Sequence, residues 1–284
     1  MATSNHRKLA AMIEHYGEVA DTVNRREMRR FIEEVRQMWA TRPPQEVEWD
    51  PWGEGYTDEG AFTRCVYDLA FRESPERQGP LCEAEEKDEV LLFPVEDLEN
   101  EIDEPLSDPL PPDELEEKLS SLEAKLQKQS ANSKSIHLPD DFKVLMSITN
   151  GIEGAGVPAE TANTILVYHL DHHKVWPLDH PGGSDDSLGL MLSRIDSLGF
   201  TALAGWVIGG CTQYRQIYYV FCHRKTTAAD VVDNPSWRIF ERADIYSKVY
   251  DNMTQFLQHE VDDIVQHPGG AQQIGCVVRD FYPH

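Results

Sequence analysis

Basic residues are scarce in this chain. Its 284 residues include 26 Lys and Arg against 50 Asp and Glu, which gives a net charge of −24. The acidity is concentrated in residues 43–117, where 4 basic residues face 25 acidic ones for a net charge of −21. Nucleic-acid binding requires an excess of Lys and Arg to contact phosphates. The sequence therefore disfavours nucleic acid as a partner, and the acidic tract predicts faster encounter with a partner whose surface is basic.

Long apolar runs and paired cysteines are also missing. The longest apolar run, from Phe200 to Cys211, is interrupted by glycine and is shorter than the roughly 20 residues needed to span a bilayer. The N-terminus lacks the apolar core of a signal peptide. The 5 cysteines are odd in number, widely spaced and without a C-x-x-C pair. These features predict a soluble protein with reduced thiols in the cytoplasm, or alternatively the nucleus, and no membrane partner.

Signatures of common catalytic sites are absent. The sequence contains no G-x-x-x-x-G-K-[ST], no G-x-S-x-G and no H-E-x-x-H. One group has metal-ligand residue types: His169, Asp171, His172, His173 and His180. Because side chains alternate between faces near a strand end, we interpret this group as a solvated loop, and we expect no catalytic residue, no cofactor and no metal. The alternative is a metal-dependent hydrolase that uses His169, His172 and His173.

The chain before residue 113 falls into two predicted regions. Apolar residues recur at helical spacing up to about residue 39, where two helices, or one helix with a break near Asn24, fit equally well. We assign residues 1–71 to an N-terminal helical region. Residues 72–112 are rich in Pro, Asp and Glu, a composition that cannot bury enough apolar surface to fold alone. We therefore assign them to an acidic, partly disordered linker.

Residues 113–284 are predicted to form an α+β domain, an antiparallel or mixed sheet covered by helices. A first helix over 113–129 carries the leucine stripe Leu115, Leu119, Leu122 and Leu126, which should face the core. A second helix over 138–151 starts at Pro139 and should end in a left-handed cap at Asn150-Gly151. Periodicity predicts the other elements: strands over 164–170, 174–178, 200–210, 216–222 and 237–241, and a last helix from about 243 to 265.

The order of short motifs in this region resembles that of the SUKH superfamily. The motifs are Leu138-Pro139-Asp140-Asp141-Phe142, Thr149-Asn150-Gly151, and a strand with Gly205-Trp206 and Gly209-Gly210. That superfamily includes fungal Smi/Knr-like regulators of cell-wall synthesis and many bacterial immunity proteins, and the resemblance covers about residues 113–265.

The resemblance implies a domain that binds other proteins and has no recognised chemistry. For this chain it implies a fungal regulatory adaptor of cell-wall biogenesis, with a toxin-neutralising, immunity-like inhibitor as the alternative. It also implies structural roles for the motif residues Leu138, Pro139, Asp140, Phe142, Asn150, Gly151, Gly205, Trp206, Gly209 and Gly210. We expect Trp206 to lie in the core, since packing is the usual role of a tryptophan in a buried strand.

Overall fold

The computed structural model describes residues 4–41, 104–129, 136–155, 165–175, 193–211, 215–225, 234–243 and 247–266. The chain divides into two units, and the first contains residues 1–17, 105–154 and 164–262. This first unit holds a curled antiparallel sheet and its helices. Most of the predicted linker, residues 72–103, and the tail from residue 267 lie outside the described residues, as do residues 42–71 of the N-terminal region.

The N-terminal periodicity corresponds to a single helix. Helix α1 runs from Ser4 to Thr41. Within the first unit it buries Leu9, Ile13 and Tyr16, and the Tyr16 hydroxyl donates a hydrogen bond to the Glu153 carbonyl at 2.7 Å. The part of α1 in the second unit also has an apolar face, formed by the buried residues Ala20, Val23, Met28, Phe31 and Ile32.

In the described parts of residues 104–151, two further helices lie before β1 at the positions that the sequence predicts. Helix α2 spans Pro112–Gln129 and helix α3 spans Asp140–Ile148. Acidic residues in the first turn of each helix interact favourably with the positive end of the helix dipole. On α3, Phe142, Leu145 and Met146 are buried, as their helical spacing indicates.

Within the residues that the structure describes, seven strands form the sheet in the first unit. They are β1 (Ile152–Glu153), β2 (Ile165–Val167), β3 (Lys174–Val175), β4 (Phe200–Cys211), β5 (Arg215–Arg224), β6 (Ser236–Ala243) and β7 (Ser247–Tyr250). The order is β1-β2-β4-β5-β6-β7, with β3 also paired to β4, and every pairing is antiparallel. The mixed α+β class is confirmed, and the open choice between an antiparallel and a mixed sheet is resolved.

Apolar side chains are buried on both faces of the central strands. On one face, Tyr218 and Val220 pack with Phe200, Phe240 and Ile195. On the other face, Trp206, Tyr219 and Phe142 make ring contacts. The consecutive burial of residues 217–220 on β5 follows from this arrangement, because alternate residues point to opposite faces.

The helix predicted from about 243 to 265 begins later than expected. Residues 247–250 form β7, where Phe240 pairs with Val249 and Ile239 pairs with Tyr250. Helix α4 then spans Met253–Gln266. The prediction was wrong over this segment because pairing with β6, which is not visible in local spacing, decides its conformation. The strand predicted over 164–170 is also shorter, since Leu170–His172 form a 3-10 helix.

The ordered domain begins before the predicted boundary at residue 113. Leu106 forms a bridge to Ile152 on β1. Backbone N–H groups donate from Ser107 to the Gly151 carbonyl at 3.1 Å and from Glu153 to the Pro105 carbonyl at 2.9 Å. Residues 105–112 therefore belong to the first unit and not to a linker, because they satisfy backbone groups at the exposed edge of β1.

Candidate functional site

The sequence motif at the start of α3 packs into the core. Leu138 and Phe142 are buried, whereas Asp140 is exposed. Pro139 occupies the N-cap position with an extended backbone, φ −61° and ψ 140°, and its side chain makes no capping hydrogen bond. Its conformation therefore sets the entry of the chain into α3.

Asp141 is the residue of this motif that the sequence reasoning missed. Its carboxylate accepts hydrogen bonds from the Phe142 N–H at 2.9 Å, the Tyr219 hydroxyl at 2.6 Å and the Met253 N–H at 3.0 Å. Burial, together with the negative charge of Asp141, raises the pKa of Tyr219 well above its usual value, so the hydroxyl stays protonated and donates. Asp141 thus connects the start of α3, strand β5 and the start of α4. Neighbouring aspartates look equivalent in sequence, and only the fold turns this one inward.

The second motif does not form the left-handed cap that the sequence predicts. Helix α3 ends at Thr149, whose backbone is extended with φ −147°, and neither Asn150 nor Gly151 has a positive φ. Instead the Asn150 side-chain oxygen accepts the Leu170 N–H at 3.1 Å. A Cβ on Gly151 would lie 2.6 Å from Cδ2 of His169. The cap prediction was wrong because long-range hydrogen bonds carry the chain directly from the helix into β1.

The glycines of β4 allow close approach of neighbouring backbone. A Cβ on Gly209 would lie 2.1 Å from the carbonyl oxygen of Leu166 on β2. Gly210 has φ 139°, and a Cβ there would lie 2.4 Å from the carbonyl oxygen of Arg215. Gly205 is buried and pairs with Val220. Gly209 and Gly210 therefore leave room for the backbone of the neighbouring strands, which a side chain would block.

Trp206 lies in the core, as predicted. Its side chain is fully buried and its ring stacks on Tyr219 with a centroid distance of 5.1 Å. The edge of Phe142 approaches at the same centroid distance. The indole N–H donates to Nδ1 of His173 at 2.9 Å.

The fold separates the histidines that we weighed as a metal site. His169 and His172 are exposed, with stacked rings 6.1 Å apart, whereas His173 is buried. Nδ1 of His173 accepts the Trp206 hydrogen bond, so Nε2 carries the proton and donates to the Tyr168 carbonyl at 2.8 Å. His173 therefore offers no free lone pair to a metal ion. Asp171 is bonded to Lys118, and His180 lies outside the described residues.

The buried His173 predicts acid-sensitive stability. Burial lowers its pKa from 6.5 to about 4, so the unfolded chain binds the proton first as the pH falls. The stability from neutral His173 is complete above pH 6.5, is lost as the pH falls toward 4, and amounts to about 3 kcal/mol over that window. Urea unfolding of the wild type and of His173→Gln across this range should show a steeper acid loss for the wild type. Parallel pH profiles for the two proteins would contradict this assignment.

A second cluster has metal-ligand residue types but is already balanced by cations. Glu241, His259 and Glu260 place ligand atoms within 4.8 Å of one another. Arg215 lies between the two carboxylates: its Nε is 2.7 Å from Glu241, and its Nη2 bonds Glu260. Lys248 donates to Nε2 of His259 at 2.6 Å. Arg215 on β5 thus bridges the carboxylates of β6 and α4, which makes this a buried ion cluster that connects α4 to the sheet.

An open groove lies between α2 and α3. It has a volume of about 370 Å³. Its lining residues are Pro112, Leu115, Glu116, Leu119, Ser120 and Glu123 from α2, together with Leu138 and Lys143. The predicted leucine stripe is divided by this arrangement. Leu122 and Leu126 are buried in the core as expected, whereas Leu115 and Leu119 are only half-buried and form the apolar floor of the groove.

The C-terminal end of the groove is held by Glu123. Its carboxylate accepts the Leu138 N–H at 2.9 Å and bonds Nδ1 of His137 at 3.0 Å, with Lys143 3.8 Å away. Burial favours the protonated acid, but the Leu138 and His137 hydrogen bonds and the Lys143 charge outweigh it and lower the pKa of Glu123. An ionised carboxylate therefore ties the end of α2 to the chain that enters α3, at one end of the groove.

Comparison of the chain with protein-family models, with curated proteins and with solved structures gives no match. The fold places the first unit in the α+β class, with a curled antiparallel sheet. Membership of the SUKH superfamily stays a prediction from the sequence motifs. Within the described ranges, no helix combines the length and the apolar character that crossing a membrane requires.

Proposed function

We propose that this chain is a non-enzymatic protein-interaction module, a regulatory adaptor of the SUKH type acting in cell-wall synthesis and its signalling in the cytoplasm. The observation that carries the proposal is the groove between α2 and α3. Leucine side chains at Leu115 and Leu119 are left half-exposed on a helix whose next two stripe residues are buried. A concave apolar surface with a polar rim is typical of protein-binding sites.

The hydrolase alternative receives less support from the geometry. It requires His169, His172 and His173 to converge on one ion, and both ring nitrogens of His173 are engaged in hydrogen bonds. A stoichiometric transition metal in the purified protein would favour that alternative. The toxin-neutralising alternative uses the same kind of surface as the adaptor and differs only in the partner.

The groove can be tested by site-specific photo-crosslinking. A benzophenone side chain at position 119 of the full chain should crosslink a partner protein in cells that express it, and the same group at Ser121 should not. Ser121 is exposed two residues away, on the opposite side of α2. The partner, identified and purified, should form a stoichiometric complex with the full chain.

The affinity of that complex then decides the proposal. Leu119→Asp should weaken binding about tenfold or more, since it places a charge on the apolar floor. Ser121→Asp adds the same charge on the other side of the helix and should leave the Kd unchanged. Equal Kd values for Leu119→Asp and the wild type would refute the groove as the binding site.

A further inference from the structure

The charges around the groove are not all balanced. Lys118 pairs with Glu114 at 2.7 Å and with Asp171 at 2.6 Å, and Glu123 is bonded as described above. Glu116 lines the groove and is exposed, and it makes no ion pair or hydrogen bond with any residue that the structure describes. The rim beside the apolar floor therefore presents an uncompensated carboxylate, on a chain whose net charge is −24. A cationic group is the complement to this rim.

The shape of the groove selects the conformation of the segment that fills it. The lining residues of α2 run from Pro112 to Glu123, about three helical turns or roughly 16 Å. The long wall is α2, whose main-chain groups beyond its first turn are bonded within the helix, and the other wall is formed by Leu138 and by Lys143 of α3. An extended segment on this floor would leave its own N–H and C=O groups without partners, whereas a helix satisfies them internally. An amphipathic helix is therefore the occupant that costs the least desolvation.

We propose that the groove binds an amphipathic helix of another protein, with its apolar stripe on Leu115 and Leu119 and with a Lys or Arg of its flank paired to Glu116. This inference rests on the proposed function and specifies the partner. The negative charge of the whole chain adds long-range attraction for such a basic segment, and this attraction is screened by salt.

Synthetic peptides can test the proposal directly. The probe is a labelled, helix-stabilised peptide of about three turns, with leucines at i, i+3 and i+7 and lysines on the flanks. One comparison peptide replaces the lysines by glutamates, and a second scrambles the order so that the apolar stripe is lost. Binding to the full chain is measured by fluorescence anisotropy at low and at high salt.

The lysine peptide should bind, more tightly at low salt, and Leu119→Asp should abolish its binding. Glu116→Lys should weaken it roughly 3- to 10-fold, because an attraction becomes a repulsion, and should strengthen binding of the glutamate peptide. Glu117→Lys makes the same charge change at the next residue, which does not line the groove. It should therefore weaken binding of the lysine peptide less than Glu116→Lys does.

Tighter binding of the glutamate or the scrambled peptide to the groove would overturn the proposed occupant but leave the groove as a binding site. Absence of binding by all three peptides, or binding that Leu119→Asp does not change, would overturn this inference as well. The crosslinking experiment at position 119 would still decide the proposed function separately.

Discussion

Replacing Trp206 by alanine should lower the free energy of unfolding by about 3–5 kcal/mol. The side chain is fully buried, so its removal leaves a cavity and deletes the ring contacts with Tyr219, Phe142 and Trp237. It also removes the N–H donor to His173. Chemical denaturation of the purified full chain at neutral pH measures the loss.

Two further variants separate packing from hydrogen bonding at this site. Trp206→Phe keeps an aromatic ring but leaves Nδ1 of His173 without its donor, which should cost about 1–3 kcal/mol. Leu198→Ala removes an apolar side chain that is 39% exposed, and the effect should stay within about 0.5 kcal/mol. A loss for Trp206→Ala as small as that for Leu198→Ala would show that Trp206 is not a core residue.

Arg215→Met should destabilise the fold by about 3–5 kcal/mol at neutral pH. The guanidinium bonds the carboxylates of Glu241 and Glu260, whose side chains are 0% and 8% exposed. Without Arg215, the buried carboxylates of Glu241 on β6 and Glu260 on α4 lose their guanidinium partner, while the Tyr250 hydroxyl still donates to Glu241. Urea unfolding at neutral pH measures the change in the free energy of unfolding. The change should be large, because a buried carboxylate that loses its partner is no longer compensated for its loss of hydration.

The pH dependence of this effect follows from Glu260. Burial already raises its pKa above 4.5, and the Arg215 charge opposes that rise. In Arg215→Met the pKa of Glu260 in the folded state rises further, because the opposing positive charge is gone. Protonated Glu260 therefore stabilises the folded variant most below pH 4.5, and this contribution is lost as the pH increases. The difference from the wild type should therefore be smaller at acid pH than at neutral pH.

The matched control for this cluster is Arg242→Met. Arg242 is the next residue after Glu241 on β6 and points to the other face of the sheet. The Arg242→Met variant loses the same positive charge as Arg215→Met, but its free energy of unfolding should change by less than about 1 kcal/mol. Similar losses for Arg215→Met and Arg242→Met would indicate that net charge, and not the buried cluster, determines the result.

Hydrophobic spacing and composition predicted the elements whose conformation is decided by residues close to them in the sequence. Helices α2 and α3, the paired strands β4 and β5, and the burial of Trp206 all follow from spacing and composition that a reader of the sequence can see. These predictions succeed because hydrophobic periodicity reports which side of an element faces a core.

Predictions failed where distant residues competed with local preference. Asn150-Gly151 has the composition of a left-handed cap, but Asn150 bonds Leu170 instead. Residues 247–250 have helical spacing but pair with β6. Residues 105–107 look like acidic linker but complete the edge of β1. In each case hydrogen bonds to residues outside the segment, which its own periodicity and composition do not reveal, satisfy the backbone groups.

The sequence by itself determined the α+β class, the positions of α2 and α3 and the acidic character of the chain. Tertiary structure alone decided which polar residues meet: Asp141 with Tyr219 and Met253, and Arg215 with Glu241 and Glu260. It also decided that Leu115 and Leu119 line a groove while Leu122 and Leu126 fill the core. The physical reason is that periodicity fixes the direction of a side chain relative to its own element, whereas the neighbour that it contacts depends on how the elements pack.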